Sequence, residues 1–120
     1  MDPLKIEARS RGLVKDVHVL PRRACVILAY APWCSHCHNF SQVFLDVAKT
    51  SRATFVAVNA DSKEGRAALA AIGVAVDMFP TTVFLAPDGT HTQRVGGMTA
   101  EALRARAAAL PRSRTTALLN

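Results

Sequence analysis

The hydrophobic pattern of this chain changes its period at Pro32, just before two cysteines that stand three residues apart. Upstream, residues 25–30 (CVILAY) form a continuous apolar run with β-branched members, which is typical of a strand buried on both faces. Downstream, apolar residues recur at helical spacing between about residue 34 and residue 49; these are Phe40, Val43, Phe44 and Val47. The pattern predicts a buried strand that runs directly into a helix, with Cys34 and Cys37 in the first helical turn.

Further strands are predicted over residues 54–59, 81–85 and 91–95. Residues 87–90 (PDGT) form a strong turn signal, so the last two strands are expected to pair antiparallel. Residues 6–19 alternate weakly and predict a short strand or irregular arm followed by a turn or two of helix. Parallel strands joined by helices require right-handed crossovers. The predicted fold class is therefore α/β, with a mixed central β-sheet and helices on both faces.

Two further helices have recognisable ends. Asp61 and Glu64 have the spacing of a capping box, which predicts a helix through Ile72. Thr99 can cap a last helix that Pro111 ends. The residues of that helix expected to face inward are Leu103, Ala107 and Leu110.

The length of 120 residues predicts one domain, over residues 1–110, with a basic and flexible tail over residues 111–120. No apolar run is long enough to span a bilayer, and three cysteines are too few for a disulfide scaffold. The first residues, Met1–Glu7, lack the apolar segment of a secretory signal, so a cytoplasm-like location is the default expectation. We expect a monomer.

The net charge of +6 raises the question of nucleic-acid binding. The basic residues are spread along the chain, however, and no aromatic residues alternate with them as base-stacking would require. The charge therefore predicts solubility and a weak attraction to acidic partners rather than a nucleic-acid interface.

The cysteine pair carries the chemistry. Residues i and i+3 of a helix share a face about 5–6 Å apart, which lies within the Cα separation that a disulfide allows. The N–H groups at the helix start favour a thiolate at Cys34, whereas Cys37, one turn further in, is expected to be covered and to keep a higher pKa. Cys34 is then the attacking sulfur, and Cys37 resolves the mixed disulfide. A positive charge on His36 stabilises the thiolate further and makes the disulfide a better oxidant.

Two other interpretations of the pair remain open. A Cys-x-x-Cys motif can be half of a zinc site, with His36 or His38 as a further ligand. The other candidate ligands are scattered singly along the chain: His18, Cys25 and His91. The two cysteines can also be purely structural. Cys25 is interpreted as a small core residue of the buried strand. We expect neither a metal nor an organic cofactor.

Residues 30–40 (YAPWCSHCHNF) resemble the active-site segment of the thioredoxin superfamily, and most closely its protein disulfide isomerase type. Residues 79–81 (FPT) resemble the cis-proline loop of that family, and residues 58–61 and 95–97 resemble two further segments in the same order. The resemblance implies a thioredoxin fold and a protein-disulfide oxidoreductase. Its partners would be protein disulfides and a redox partner, which could be a reductase, glutathione or an oxidase.

The resemblance also implies roles for individual residues. Cys34 and Cys37 would be the redox-active disulfide and, with His36, the catalytic residues. Pro80 would follow a cis peptide bond beside the cysteines, and the backbone of Phe79 would pair with an extended substrate. The substrate-binding residues would be Trp33, at the lip of the groove, Ser35, whose hydroxyl can reach the Cys34 sulfur, Phe79 and Pro80.

Three departures from the family pattern stand out. Leu28 occupies the position of a buried acidic residue six places before Cys34, and Ala57 occupies that of its basic partner. A buried carboxylate would help to remove the proton from Cys37, so slower release or a less demanding substrate is expected here. Ser35 replaces a usual glycine. Extra residues between Gly73 and Pro80 can reshape the groove. The alternative function is a thioredoxin-like binding module with little redox turnover.

Overall fold

The computed structural model describes residues 13–15 and 24–111. Within these ranges it contains five strands and three helices: β1 (Leu13–Lys15), β2 (Cys25–Tyr30), α1 (Ser35–Ala48), β3 (Thr54–Asn59), α2 (Lys63–Ala70), β4 (Thr81–Leu85), β5 (His91–Val95) and α3 (Ala100–Ala108). The four strands predicted after residue 24 are confirmed. β1 falls in the predicted N-terminal arm, whose other residues, like the predicted tail from residue 112 onward, lie outside the described ranges.

The five strands form one mixed sheet in the order β1-β3-β2-β4-β5. β3 runs parallel to both β1 and β2, whereas β4 is antiparallel to β2 and to β5. Tyr30 and Asn59, the last residues of β2 and β3, are partners in the parallel register. The Ala60 N–H then donates to the Tyr30 carbonyl at 2.8 Å. The segments that follow these two strands therefore lie side by side at one edge of the sheet.

The core has one layer on each face of the sheet, as the sequence predicts. One layer lies under α1 and α3 and includes Phe44, Phe55 and Leu103; the other lies under α2 and includes Ile27 and Leu69. Successive β2 side chains alternate between the two layers, and all six are buried. Each large apolar side chain buried in this way stabilises the fold by about 1.5–3 kcal/mol. Because both faces of β2 are buried in this way, its sequence is continuously apolar.

The start of α2 differs from the prediction. Ser62, not Asp61, is the N-cap, because its Oγ accepts a hydrogen bond from the Gly65 N–H at 2.9 Å. The Ser62 hydroxyl also donates to the Asn59 carbonyl at 2.7 Å, which ties the cap to the end of β3. A side chain at Gly65 would collide with that same carbonyl, so this close approach requires glycine. The helix ends at Ala70, two residues before the predicted end.

The last helix agrees with the prediction at its start. Thr99 is the N-cap and accepts from the Ala102 N–H at 3.1 Å. Leu103 and Ala107 are buried, and Leu110 is partly buried against the same core layer. None of the helices in the described ranges combines the length and the apolar character that crossing a bilayer requires.

Candidate active site

The cysteine pair lies where β2 passes into α1. The turn between them is closed by a hydrogen bond from the Cys34 N–H to the Ala31 carbonyl at 3.1 Å. Cys34 has an extended backbone and is the N-cap of α1, and its Sγ accepts from the Cys37 N–H at 3.2 Å. A sulfur thus satisfies one of the free N–H groups at the helix start. The start of a helix is a position where N–H donors and the helix dipole generally favour negative charge.

The two thiols have different environments. Cys37 is 1% exposed, whereas Cys34 is 6% exposed and lines a surface cleft. Burial, together with a smaller contribution from a hydrogen bond with the Cys34 sulfur, raises the pKa of Cys37 to about 12. Cys37 therefore remains a thiol at neutral pH. The predicted difference in burial, with Cys37 covered, is present.

The cleft beside Cys34 has a volume of about 430 Å³. Trp33, 68% exposed, forms one wall, and its ring contacts that of Phe79 edge to face, with centroids 5.6 Å apart and planes at 84°. Asp77 and Met78, from the segment expected to reshape the groove, also line this cleft. Trp33 and Phe79, both predicted to bind substrate, are thus brought together over Cys34.

The indole of Trp33 is held by Asp61, which the sequence predicts as a helix cap. The Trp33 Nε1–H donates to the Asp61 Oδ2 at 3.0 Å. Asp61 follows β3 and Trp33 follows β2, and these parallel strands end at the same edge of the sheet. That shared edge is the signal by which the sequence could have placed Asp61 in the site.

The Phe79–Pro80 peptide bond is cis, as predicted. The loop is anchored at both sides, because the Thr81 hydroxyl donates to the Met78 carbonyl at 2.7 Å and the Gly96 N–H donates to the Pro80 carbonyl at 2.8 Å. Beside this loop runs a groove of about 740 Å³, lined chiefly by apolar residues of α1, the loop and the segment after β5. The groove and the cleft share His36, Met78 and Phe79, so they form one continuous surface.

Beneath the cysteines the core is apolar. Leu28 and Ala57 are partners in the β2–β3 register, are fully buried, and belong to the same core layer as Cys34 and Cys37. Every Asp and Glu side chain within residues 24–111 is exposed: Asp46, Asp61, Glu64, Asp77, Asp88 and Glu101. Within this part of the chain no carboxylate is therefore available below Cys37.

The polar residues of the first turn lie outward. Ser35 and His36 are exposed and line the cleft. The Nε2 of His38 is 3.1 Å from the Pro32 carbonyl oxygen, a hydrogen bond that holds the imidazole against the turn. Their predicted contributions to the reactivity of Cys34 remain predictions.

The alternatives to a redox pair can also be examined in the described ranges. There, no three His, Cys, Asp or Glu side chains lie close enough together to hold a metal ion. Cys25 is fully buried in the core layer opposite that of Cys37, which agrees with its interpretation as a core residue.

The chain was compared with known proteins. The Thioredoxin family model matches residues 13–109. The structure is similar to the J-Trx1 fragment of ERdj5, with a TM-score of 0.68 and 21% identity over 86% of this chain and 51% of that chain, so it spans about half of that fragment. It is also similar to Schistosoma mansoni thioredoxin, with a TM-score of 0.58 and 18% identity over 89% of this chain and 87% of that chain. A search of curated proteins gives no significant match.

Proposed function

The chain belongs to the thioredoxin family, and we propose that it is a thiol–disulfide oxidoreductase that acts on protein disulfides through Cys34 and Cys37. The observation that carries this proposal is the hydrogen bond from the Cys37 N–H to the Cys34 Sγ at the start of α1. The proposal is supported by the position of the Cys34 sulfur at a helix start beside an open cleft, with a second and buried sulfur one helical turn away.

The reaction proceeds in two exchanges. The Cys34 thiolate attacks a substrate disulfide, a Cys34–substrate bond forms, and the other substrate sulfur leaves as a thiolate. Cys37 then loses its proton and attacks the Cys34 Sγ, which breaks the mixed disulfide and releases the second substrate thiolate. Two electrons pass from the dithiol to the substrate, and the reverse sequence forms a disulfide. A reductase, glutathione or an oxidase restores the starting state.

The groove supports an extended polypeptide as the substrate. Trp33 and Phe79 offer an apolar wall beside the reacting sulfur, and the backbone of Phe79 can pair with the substrate as an added strand. Ser35 lies at the start of α1 in the same cleft, where its hydroxyl can bond the Cys34 sulfur.

Reduction of insulin disulfides by dithiothreitol, followed by turbidity, tests the proposal. We expect the wild-type protein to accelerate precipitation and Cys34→Ser to abolish the acceleration. Cys25→Ser, which removes the thiol of the opposite core layer, serves as the matched control and should retain it. Wild-type protein without any acceleration would contradict the proposal.

The second candidate is a binding module with little turnover. It is favoured by the apolar layer beneath Cys37: burial there raises the pKa of that thiol to about 12, and every carboxylate within residues 24–111 is exposed. If the wild type lacks insulin-reducing activity but binds a peptide as well as Cys34→Ser does, the module is supported.

A further inference from the structure

The hydroxyl of Thr82 is buried without a hydrogen-bond partner. The residue is 0% exposed, and its Oγ1 has no hydrogen-bond partner among the described residues. A buried hydroxyl without a partner lowers the stability of the folded protein, because the hydrogen bonds that it made to water in the unfolded chain are not replaced. A valine would have the same shape without this cost. The position therefore invites a functional explanation.

Thr82 faces the layer that contains the two cysteines. Its chain neighbour Val83 packs in the layer under α2, so Thr82 projects to the other face, with Phe84. In the antiparallel register Thr82 is the partner of Leu28, and cross-strand partners have Cβ atoms about 4.5–5.5 Å apart. Thr82 is thus the immediate neighbour of the position where the family pattern has its buried acidic residue.

The proposed reaction requires a negative charge to form within this core layer. Cys37 must become a thiolate before it can attack the mixed disulfide, and burial opposes that change. The apolar side chains of Leu28 and Ala57 cannot stabilise the negative charge of the thiolate. The described carboxylates are all exposed, so none of them is buried in this layer to accept the proton. A hydroxyl can stabilise it, because a hydrogen bond to a charged acceptor is stronger than one to a neutral acceptor.

We propose that Thr82 is a positioning residue for Cys37, and that its hydroxyl donates a hydrogen bond, itself or through one bridging water, to the Cys37 sulfur as that sulfur becomes a thiolate. This inference rests on the proposed function. In the step, the Cys37 proton passes to solvent, the Cys34–Cys37 bond forms, the bond from Cys34 to the substrate sulfur breaks, and the substrate leaves as a thiolate. Thr82 keeps its own proton throughout.

Other titratable and charged groups lie on the elements around Cys37. On the turn and α1 they are Cys34, His36, His38 and Asp46, and on β2 Tyr30. On β5 they are His91 and Arg94, the register partner of Thr82, and on α3 Glu101, Arg104 and Arg106, which stacks on Phe84. A substitution of Thr82 leaves all of them in place. The difference between the wild type and a Thr82 variant therefore isolates the hydroxyl.

The test uses stopped-flow reaction with 5,5′-dithiobis(2-nitrobenzoate) in a Cys25→Ser background, which leaves only the two active-site thiols. The attack of Cys34 releases a first coloured thiolate at a rate proportional to reagent concentration. The attack of Cys37 on the resulting mixed disulfide releases a second at a rate independent of it. Both rate constants are measured between pH 6 and pH 10, and circular dichroism checks that each variant is folded.

We expect Thr82→Val to slow the second release about tenfold at neutral pH, the usual effect of losing a hydrogen bond to a charged group. Because the pKa of Cys37 is about 12, the second rate should rise with pH throughout this range, and the Thr82→Val profile should lie about one pH unit to the alkaline side of the wild-type profile, while the first release is unchanged. Thr82→Ser, which keeps the hydroxyl, should restore the rate and the position of the profile.

A folded Thr82→Val variant with the wild-type second rate at every pH would overturn the inference alone. So would a Thr82→Ser variant as slow as Thr82→Val, because the effect would then be one of packing. A wild-type protein that releases only one thiolate would overturn the proposed function as well. Since the reagent is a small disulfide and not a protein, both rate constants can be measured even if the protein does not reduce insulin.

Discussion

The carboxylate of Asp61 accepts a hydrogen bond from the indole of Trp33 at 3.0 Å, across 28 positions of sequence. The bond fixes an otherwise exposed ring at the wall of the cleft that contains Cys34. Asp61 thus acts on the site through Trp33, by holding the surface on which we expect the substrate to lie.

Asp61→Ala should release the ring. We expect the KM for a protein disulfide to rise severalfold with kcat nearly unchanged, and stability to fall by about 0.5–1.5 kcal/mol, the usual value of one hydrogen bond. Trp33 is the only tryptophan, so acrylamide quenching of its fluorescence reports the change directly and should increase. Asp61→Asn keeps an acceptor and is the control. Equal quenching in Asp61→Ala and the wild type would contradict the assignment.

Stability should fall at alkaline pH because of Cys37. Burial raises the pKa of this thiol from 9.0 to about 12 in the folded protein, so its contribution is fully present below pH 9. Between pH 9 and about 12 the unfolded chain loses the proton while the folded protein retains it. The free energy of unfolding should therefore decrease, by up to about 4 kcal/mol for this group. Urea titrations should show a shallower decrease for Cys37→Ala, and equal slopes for the two proteins would be evidence against it.

A carboxylate placed beneath Cys37 should speed the second exchange. Leu28→Asp puts a proton acceptor at the register partner of Ala57, and we expect severalfold faster release of substrate from the mixed disulfide near neutral pH. The variant should also lose about 3 kcal/mol or more of stability, because an apolar core residue is replaced by a polar one without partners. Leu28→Asn, which carries no acceptor of comparable basicity, should lose stability without gaining rate. A gain in Leu28→Asn equal to that in Leu28→Asp would show that the effect is not proton transfer.

The reduction potential should be more oxidising than that of a typical thioredoxin, because His36 stands beside Cys34 at the start of α1. We expect a midpoint between about −270 and −180 mV, the values of thioredoxin and of protein disulfide isomerase. Titration in glutathione buffers with alkylation of free thiols measures it. His36→Gln should lower the midpoint, and a wild-type midpoint at or below about −270 mV would refute the role given to His36.

The sequence predicts most of the fold because its strongest patterns have local causes. The run over residues 25–30 is apolar throughout because both faces of β2 are covered, and Thr99 caps α3 with no competing side chain beside it. At α2, by contrast, Asp61 and Ser62 are both suitable caps. Ser62 serves because its hydroxyl also bonds Asn59, while the Asp61 carboxylate bonds Trp33. That choice depends on a contact between distant parts of the chain.

In the candidate site, too, some features follow from local sequence and others depend on contacts between distant residues. The spacing of Cys34 and Cys37 and the change of period at Pro32 suffice to place both sulfurs at a helix start. The lack of a hydrogen-bond partner at the Thr82 hydroxyl could not be predicted from the sequence, because the sequence pattern of a strand is the same whether a threonine hydroxyl has a partner or not. Whether the hydroxyl has a partner depends on which residues of β2 and β5 lie beside it.

Trapping of the mixed disulfide tests the central claim most directly. Cys37→Ser protein is mixed with a disulfide-bonded protein such as insulin, quenched with acid, and analysed by mass spectrometry with peptide mapping. We expect a covalent adduct through Cys34 in Cys37→Ser and none in Cys34→Ser. An adduct through Cys25, or no adduct in Cys37→Ser, would contradict it.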